Sequence, residues 1–428
     1  MTDEVAARPT RLLLLTLVFR PDAVSTAHLL GELIRQLHMR GHDILVVTTT
    51  PHYNVDRDAM ESQPLWRSRA LPLYRIYRSV FEGLPVWHVP MRKKGKRILG
   101  RALDYLLFHV LSTAVAWSLR DRYDVILVPS PPLTTGVAAA LLACATGKRV
   151  VYNVQEIYPD VAIELGVLKN RFLIKMSRFL ERFVYRHCDA IVVISERFRL
   201  RLLQRDVPKE KLWVIPNFAM DAPSNGPTPR RNRFSTTHGL DNAFVVLYAG
   251  NLGLTQDVET VVEAARALER YPEIKFLIVG DGVRRSWLEA ELVRAALRNV
   301  MLLPYQDSHV VPDLYGSSDV CLVPLKAHMA DTTFPSKIYT IMACERPAIV
   351  MAEEISDVGR LVVEAGCGWR VDPGDADGLA AAIEGALRDR VESHRMAMAG
   401  RGYMLRNHTA AAAAERYEEV IASVVGSG

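Results

Sequence analysis

No two cysteines in this chain are spaced as Cys-x-x-Cys. The five present (Cys144, Cys188, Cys321, Cys344 and Cys367) are odd in number and scattered. That argues against a disulfide framework or a zinc ribbon and fits a reducing compartment. Long apolar runs are also missing. Residues 102–117 form an apolar segment of 16 residues that includes Asp104 and His109, too short for a transmembrane helix. Residues 12–19 follow Arg8 and Arg11 as a signal peptide would. However, Asp3 and Glu4 precede them, and Arg20-Pro21-Asp22 stands where a small-residue cleavage site belongs. A first buried parallel strand is the better expectation. No Gly-x-Gly-x-x-Gly follows that strand, which disfavours a dehydrogenase. P-loop, His-Glu-x-x-His and Gly-x-Ser-x-Gly motifs are absent too. Asp56/Asp58 and Asp375/Asp377 could be offered as metal pairs, but Asp375 is better placed to cap a helix near Leu379, and no metal site is expected.

What is present is an alternation. In 428 residues, 49% of them hydrophobic, apolar runs of about five residues alternate with longer amphipathic segments. Strands are expected at residues 12–19, 44–49, 125–128, 150–154 and 190–194. A second series is expected at 245–249, 274–279, 300–303, 320–324 and, more weakly, 348–350. Helical periods fall between them at 27–40, 134–145, 258–269 and 287–296, and again at 410–425. This is the pattern of parallel sheets covered by helices, and two series mean two α/β, doubly wound domains. The break falls at residues 218–233, where Pro223, Gly226, Pro227 and Pro229 crowd together. Charge divides at the same place. Residues 1–218 hold 32 Lys/Arg against 20 Asp/Glu, and residues 219–428 hold 21 against 28. A basic half and an acidic half imply different partners, with nucleic acid or an anionic membrane surface as candidates for the first.

In the second half, four loops are expected on one carboxyl edge. Gly250-Asn251-Leu252-Gly253-Leu254-Thr255-Gln256 joins a strand to a helix start whose free amides favour an anion such as a diphosphate. Asp331-Thr332-Thr333-Phe334-Pro335-Ser336-Lys337 opens a second helix, with Pro335 suited to its first position and Ser336 and Lys337 able to bind phosphate. Gly280-Asp281-Gly282 and Tyr305-Gln306 end the other two strands. In an open α/β sheet such loops line a ligand crevice.

These residues resemble a known family, the retaining GT-B glycosyltransferases of group 4, in the branch that assembles colanic acid, O-antigen and capsule. The match runs through Gly41-His42-Asp43, Thr50-Pro51-His52-Tyr53-Asn54, Ser130-Pro131-Pro132, Gln155-Glu156-Ile157-Tyr158-Pro159-Asp160 and Val214-Ile215-Pro216-Asn217. It continues with Gly250-Asn251-Leu252-Gly253, Gly280-Asp281-Gly282 and Pro335-Ser336-Lys337 leading to Met342-Ala343. The resemblance implies two Rossmann-like domains facing each other across a cleft. Residues 1–218 would bind the acceptor, 219–235 would link, and 236–405 would bind the nucleotide sugar. Residues 406–428 would form a helix packing back toward the first domain. It further implies a retaining, metal-independent transfer from a nucleotide diphosphate sugar, by resemblance a UDP-sugar. The nucleotide sugar is a co-substrate, and no bound cofactor is expected. The acceptor would be a lipid-linked or other saccharide in cell-surface glycan assembly.

Site residues follow position by position. Gln155, Glu156 and Lys337 are the catalytic candidates. Gly250, Asn251, Gln256, Gly282, Arg284, Tyr305, Thr332, Thr333, Phe334, Pro335, Ser336, Lys337 and Thr340 are the donor-binding ones. Many relatives carry Arg and Lys where Asn251 and Gln256 stand, and glutamates where Thr332 and Thr340 stand. Lys337 and the two helix starts are therefore expected to carry the diphosphate, aided by Arg284 or Lys326.

The acceptor or membrane face is expected at Ser25, Thr26, His28, Lys93, Lys94, Arg97, Arg171, Lys175, Arg178 and Arg182. The last four, with Arg186, repeat at helical spacing beside Phe172, Met176, Phe179, Leu180 and Phe183. That stripe reads equally as a solvated helix face or a membrane interface, and residues 102–117 as a core helix or a membrane-dipping one. No aromatic stacking platform interleaves the basic clusters, so no nucleic-acid partner is expected. The expected location is cytoplasmic, peripheral on the inner face of the cell membrane. A non-catalytic nucleotide-sugar-binding subunit and a GT-B-fold epimerase remain as alternatives.

Overall fold

The computed structural model describes residues 9–53, 55, 57–68, 75–92, 98–219 and 226–426. The chain divides into two compact units, Met1–Pro216 with Ala410–Gly428, and Asn217–Thr409.

The first unit is built on nine strands: β1 (Arg11–Leu15), β2 (Asp43–Thr49), β3 (Trp66–Arg67), β4 (Tyr77–Phe81), β5 (Leu84–Val89), β6 (Val125–Ser130), β7 (Arg149–Val154), β8 (Ala190–Val193) and β9 (Leu212–Val214). Their order is β3-β4-β5-β2-β1-β6-β7-β8-β9. From β5 to β9 neighbouring strands run parallel, whereas β3-β4 and β4-β5 are antiparallel. The β1 core, Leu12–Leu15, is almost fully enclosed, as a parallel strand covered on both faces must be. It is shorter than the apolar run. The Thr16 hydroxyl donates to the Val18 carbonyl and bends the chain out of the sheet. Phe19 stays buried by packing edge-on against Phe81, ring centroids 5.2 Å apart. The final helix, Ala410–Val425, belongs to this unit. Arg40 pairs with its Glu415 at 2.7 Å and Glu418 at 3.1 Å, and His42 meets Glu418 at 3.1 Å.

The second unit holds β10 (Phe244–Ala249), β11 (Ile274–Val279), β12 (Val300–Leu303), β13 (Val320–Pro324), β14 (Ala348–Met351) and β15 (Gly368–Val371), all parallel, in the order β12-β11-β10-β13-β14-β15. The two-residue period of a strand explains its two cores. Phe244, Val246 and Tyr248 join Phe276, Ile278 and Leu322 on one face. Val245 and Leu247 join Leu277, Val279 and Val323 on the other. Because both faces are apolar, the strands read as continuous hydrophobic runs. The strand order reverses about β10, so the loops after β10, β11 and β13 meet at one carboxyl edge.

Candidate functional site

At that edge the loops are laced together by backbone bonds. Gly250 donates to the Val279 carbonyl at 2.9 Å, Leu252 to Asp281 at 2.8 Å and Arg284 to Leu252 at 3.0 Å. On the far side Lys326 donates to Thr255 at 3.0 Å. The approach is close enough to require glycine. At Gly280, φ is +153°, and a Cβ would fall inside the contact envelope of the Gly250 carbonyl oxygen.

Lys337 begins the helix Lys337–Ala343 and sends its ammonium group back over β10. Nζ lies 3.9 Å from the centroid of the Tyr248 ring and 3.0 Å from where a Cβ on Gly250 would stand. It is buried and has no hydrogen-bond partner. Burial alone pulls its pKa down to about 7. The Tyr248 ring offers its negative face, and the Tyr248 hydroxyl is turned away, donating to the Asn251 carbonyl at 2.7 Å. Four residues earlier in the chain, the Thr333 hydroxyl oxygen is also buried without a partner among the described residues. A cation and a hydroxyl, both desolvated and unmatched, stand where four loops end. An anion with acceptor oxygens is the chemistry that matches them.

Three expectations are revised. The helix start after the glycine turn is partly taken up, because Asp257 caps the helix Val258–Ala267. Its carboxylate accepts from the Thr260 amide at 3.3 Å, the Thr260 hydroxyl at 2.8 Å and the Gly374 amide at 3.1 Å. Pro335 is not the first helical residue. It precedes the helix by two positions, and its carbonyl accepts from Ile338 at 3.2 Å in a tighter turn. Arg284 and Lys326 are both engaged by Glu259, the latter at 3.4 Å, and Arg284 also stacks on Trp287 at 4.3 Å. That leaves Lys337 as the cation at this edge with no carboxylate against it among the described residues.

The remaining donor-side candidates are distributed as follows. Gln256 is buried, its amide nitrogen donating to the Thr255 hydroxyl at 3.0 Å. Thr332 and Thr340 are buried. Phe334 stacks on Tyr339, centroids 5.6 Å apart. The Gly282 amide donates to the Asp281 carboxylate at 2.7 Å. Asn251 and Tyr305 are exposed, and the Ser336 side chain makes no capping bond. Asp375 caps the helix Ala376–Arg388 through the Gly378 amide at 2.8 Å.

In the first unit, Gln155 and Glu156 follow β7 at its carboxyl end. The Gln155 amide donates to Asn153 at 2.9 Å. Burial raises the Glu156 carboxyl to about 7, and no described side chain neutralises it. Ser25 and Thr26 open the helix Ser25–Met39, and His28 in its first turn meets Arg20 Nη1 at 2.9 Å. The helix Arg171–His187 presents Phe172, Leu173, Met176 and Phe179 to solvent, with Phe172 72% exposed, beside Arg171, Lys175 and Arg182. Arg178 departs from the stripe, pairing with the buried Asp160 at 3.2 Å. The helix Ile98–Ser118 buries Phe108, Leu111 and Val115 and exposes Leu103, Leu106, Leu107, Val110 and Trp117. No helix among the described residues is long and apolar enough to cross a membrane. Lys93, Lys94 and Arg97, like Asn54 and Asp56, lie outside the described residues.

Sequence reasoning missed Tyr248, which reads as an ordinary strand aromatic, and Glu259, which reads as a helix surface residue. Only the fold brings the first under Lys337 and the second between Arg284 and Lys326.

Two Rossmann-like units joined in one chain, with an unmatched buried lysine at the carboxyl edge of the second, define a GT-B-type α/β protein. Residues 26–217 match the glycosyl transferase 4-like domain, and residues 231–403 match the glycosyl transferases group 1 domain. Similar proteins include a putative colanic acid biosynthesis glycosyl transferase, WcaI, of Escherichia coli K12. It is 28% identical over 86% of this chain and 90% of its own length. The probable glycosyltransferase WbjE of Pseudomonas aeruginosa is 28% identical over 68% of this chain and 73% of its own. Among solved structures, Anabaena HepE in complex with UDP and glucose superposes with a TM-score of 0.73 at 16% identity, covering 97% of this chain and 100% of its own. The lipopolysaccharide glycosyltransferase WaaG gives a TM-score of 0.66 at 14%, covering 96% and 99%. The chain belongs to the group 4 glycosyltransferases of the GT-B fold.

Proposed function

We propose that the chain moves a sugar, with retention and without a metal ion, from a UDP-sugar bound by the second unit to a lipid-linked saccharide bound by the first. The observation that carries this reading is Lys337, a buried ammonium beside the Gly250 turn with no counter-ion among the described residues. The donor diphosphate supplies the missing charge and takes the Thr333 hydroxyl as a further donor. HepE, similar in fold, has been solved with UDP and with UDP-glucose, which supports uridine as the base. In the reaction the bond from the anomeric carbon to the β-phosphate oxygen breaks and the acceptor oxygen bonds to that carbon. The acceptor proton passes to the departing phosphate. Lys337 stabilises charge as it gathers on the leaving group. On the acceptor side, Gln155 and Glu156, whose carboxyl burial raises to about 7, contact the incoming sugar.

A thermal-shift screen of nucleotide sugars, followed by calorimetry on Lys337→Ala, tests the donor site. Unchanged affinity in the variant refutes the assignment. Nucleotide release during incubation with a lipid extract tests the transfer. No release under any condition favours a non-catalytic binding subunit.

The same reading places the enzyme in the cytoplasm, resting on the inner face of the cell membrane. Exposed Phe172, Met176 and Phe179 beside Arg171, Lys175 and Arg182 combine apolar surface with charge complementary to anionic lipid. The apolar outer stripe of the helix Ile98–Ser118 supports the same contact. Flotation with phosphatidylglycerol vesicles at low salt measures it. Recovery only in the unbound fraction counts against it.

A further inference from the structure

His52, in the loop after β2, makes contacts that fix which of its ring nitrogens carries the proton. Three groups surround Nδ1, and each of them accepts. The Thr49 hydroxyl donates its own hydrogen to the Leu17 carbonyl at 2.8 Å and so turns a lone pair toward Nδ1 at 3.0 Å. The Thr50 carbonyl lies at 3.2 Å and the Asp22 carboxylate at 3.8 Å. A ring nitrogen facing only acceptors holds the hydrogen, so neutral His52 has its lone pair on Nε2. Nε2 makes no hydrogen bond among the described residues, and the side chain keeps 11% of its surface open.

The loop is anchored as well. Buried Asp22, three residues before Ser25, accepts from the His52 and Tyr53 amides at 2.8 Å each. This fixes the ring at the carboxyl edge where β1 and β2 end. With its lone pair directed outward, the neutral ring accepts from a hydroxyl donor such as a sugar's.

We propose that His52, oriented by Asp22 and Thr49, is an acceptor-sugar subsite whose Nε2 receives a hydrogen bond from a saccharide hydroxyl. This rests on the reading that the first unit binds the acceptor. The proton stays on the hydroxyl in the bound state, so His52 is a binding residue and the transfer chemistry is unchanged.

Two measurements test it. In nitrogen NMR of the histidine rings, His52 is expected as the Nδ1–H form. Its Nε2 signal is expected to move on adding methyl α-glucoside, methyl α-galactoside or methyl α-mannoside. The opposite tautomer, or no movement with any of the three, overturns the proposal. In nucleotide-release assays with a lipid extract as acceptor, His52→Phe is expected to raise the acceptor KM about tenfold, the worth of one neutral hydrogen bond. The effect should fall on KM rather than on kcat. His52→Gln, whose amide oxygen also accepts, should recover part of the loss. An unchanged KM in the Phe variant overturns the subsite while leaving sugar transfer standing. A wild-type protein that releases no nucleotide overturns the transfer reading instead, and the ring signals then decide the subsite alone.

Discussion

Replacing Lys337 by methionine keeps nearly the same volume and removes one buried charge. In the unliganded protein Nζ lies over the Tyr248 ring with no hydrogen-bond partner among the described residues, and burial lowers its pKa from 10.5 to about 7. At about 1.4 kcal/mol per pKa unit this amounts to an upper bound of about 5 kcal/mol held against folding. The sign follows from linkage. Below pH 7 the lysine is charged in both states and the whole penalty is present. Between pH 7 and 10.5 the folded protein has released the proton and the unfolded chain has not, so stability rises with pH by up to about 1.4 kcal/mol per unit. Lys337→Met should therefore be more stable than wild type at pH 6 and should lack that rise. Donor binding reverses the balance, because a diphosphate beside the nitrogen favours its charged form. With a pKa of about 7, roughly one free lysine in ten is charged at pH 8, so binding should take up close to one proton. Calorimetry of UDP-glucose at pH 8, in buffers of low and high ionisation enthalpy, counts that proton directly. Zero uptake by wild type, the same uptake by Lys337→Met, or a variant less stable than wild type at pH 6 would refute the reasoning.

Glu156 titrates in the opposite sense. Its folded value is raised to about 7, so the folded state favours the protonated acid, and stability is lost as pH climbs from 4.5 to 7. Glu156→Gln should match wild type in urea unfolding at pH 4 and exceed it at pH 8 by up to about 3 kcal/mol, while slowing sugar transfer. Gly280→Ala should cost about 3 kcal/mol or more, since it combines φ of +153° with a collision on the Gly250 carbonyl. A guanidinium midpoint at or near the wild-type value would contradict the close approach of the two loops. The double variant Phe172→Ser with Phe179→Ser should lose at least tenfold in vesicle partitioning, since each buried phenyl ring is worth about 1.5–3 kcal/mol. Its thermal midpoint should hold, because both rings are exposed in the folded protein.

Much of the fold could be read from the chain. The strand runs at 274–279 and 320–324 coincide with β11 and β13, because a parallel strand covered on both faces is largely apolar at successive positions, and the run at 300–303 coincides with the half-buried edge strand β12. The antiparallel β4 and β5 could not be read that way. Tyr77–Phe81 mixes Arg78 and Ser79 among its apolar residues, and β5 carries Pro85 and His88, so neither presents a clean run. β9 has three residues and β15 begins with glycine, and both are strands chiefly because a neighbour supplies the hydrogen bonds.

The candidate site divides along the same line. The sequence by itself determined the alternation that makes two parallel-sheet units, the glycines at the loop ends, and Lys337 as a cation near a helix start. Those properties are set by a residue and its near neighbours. Tertiary structure alone decided which charges remain available. It placed Glu259 against Arg284 and Lys326, Asp257 on the Thr260 amide, and Asp160 against Arg178. It left Lys337 on an aromatic ring with no acid beside it among the described residues. Whether a charge is neutralised depends on groups distant in the chain and on how much water the fold excludes, and no local pattern encodes either.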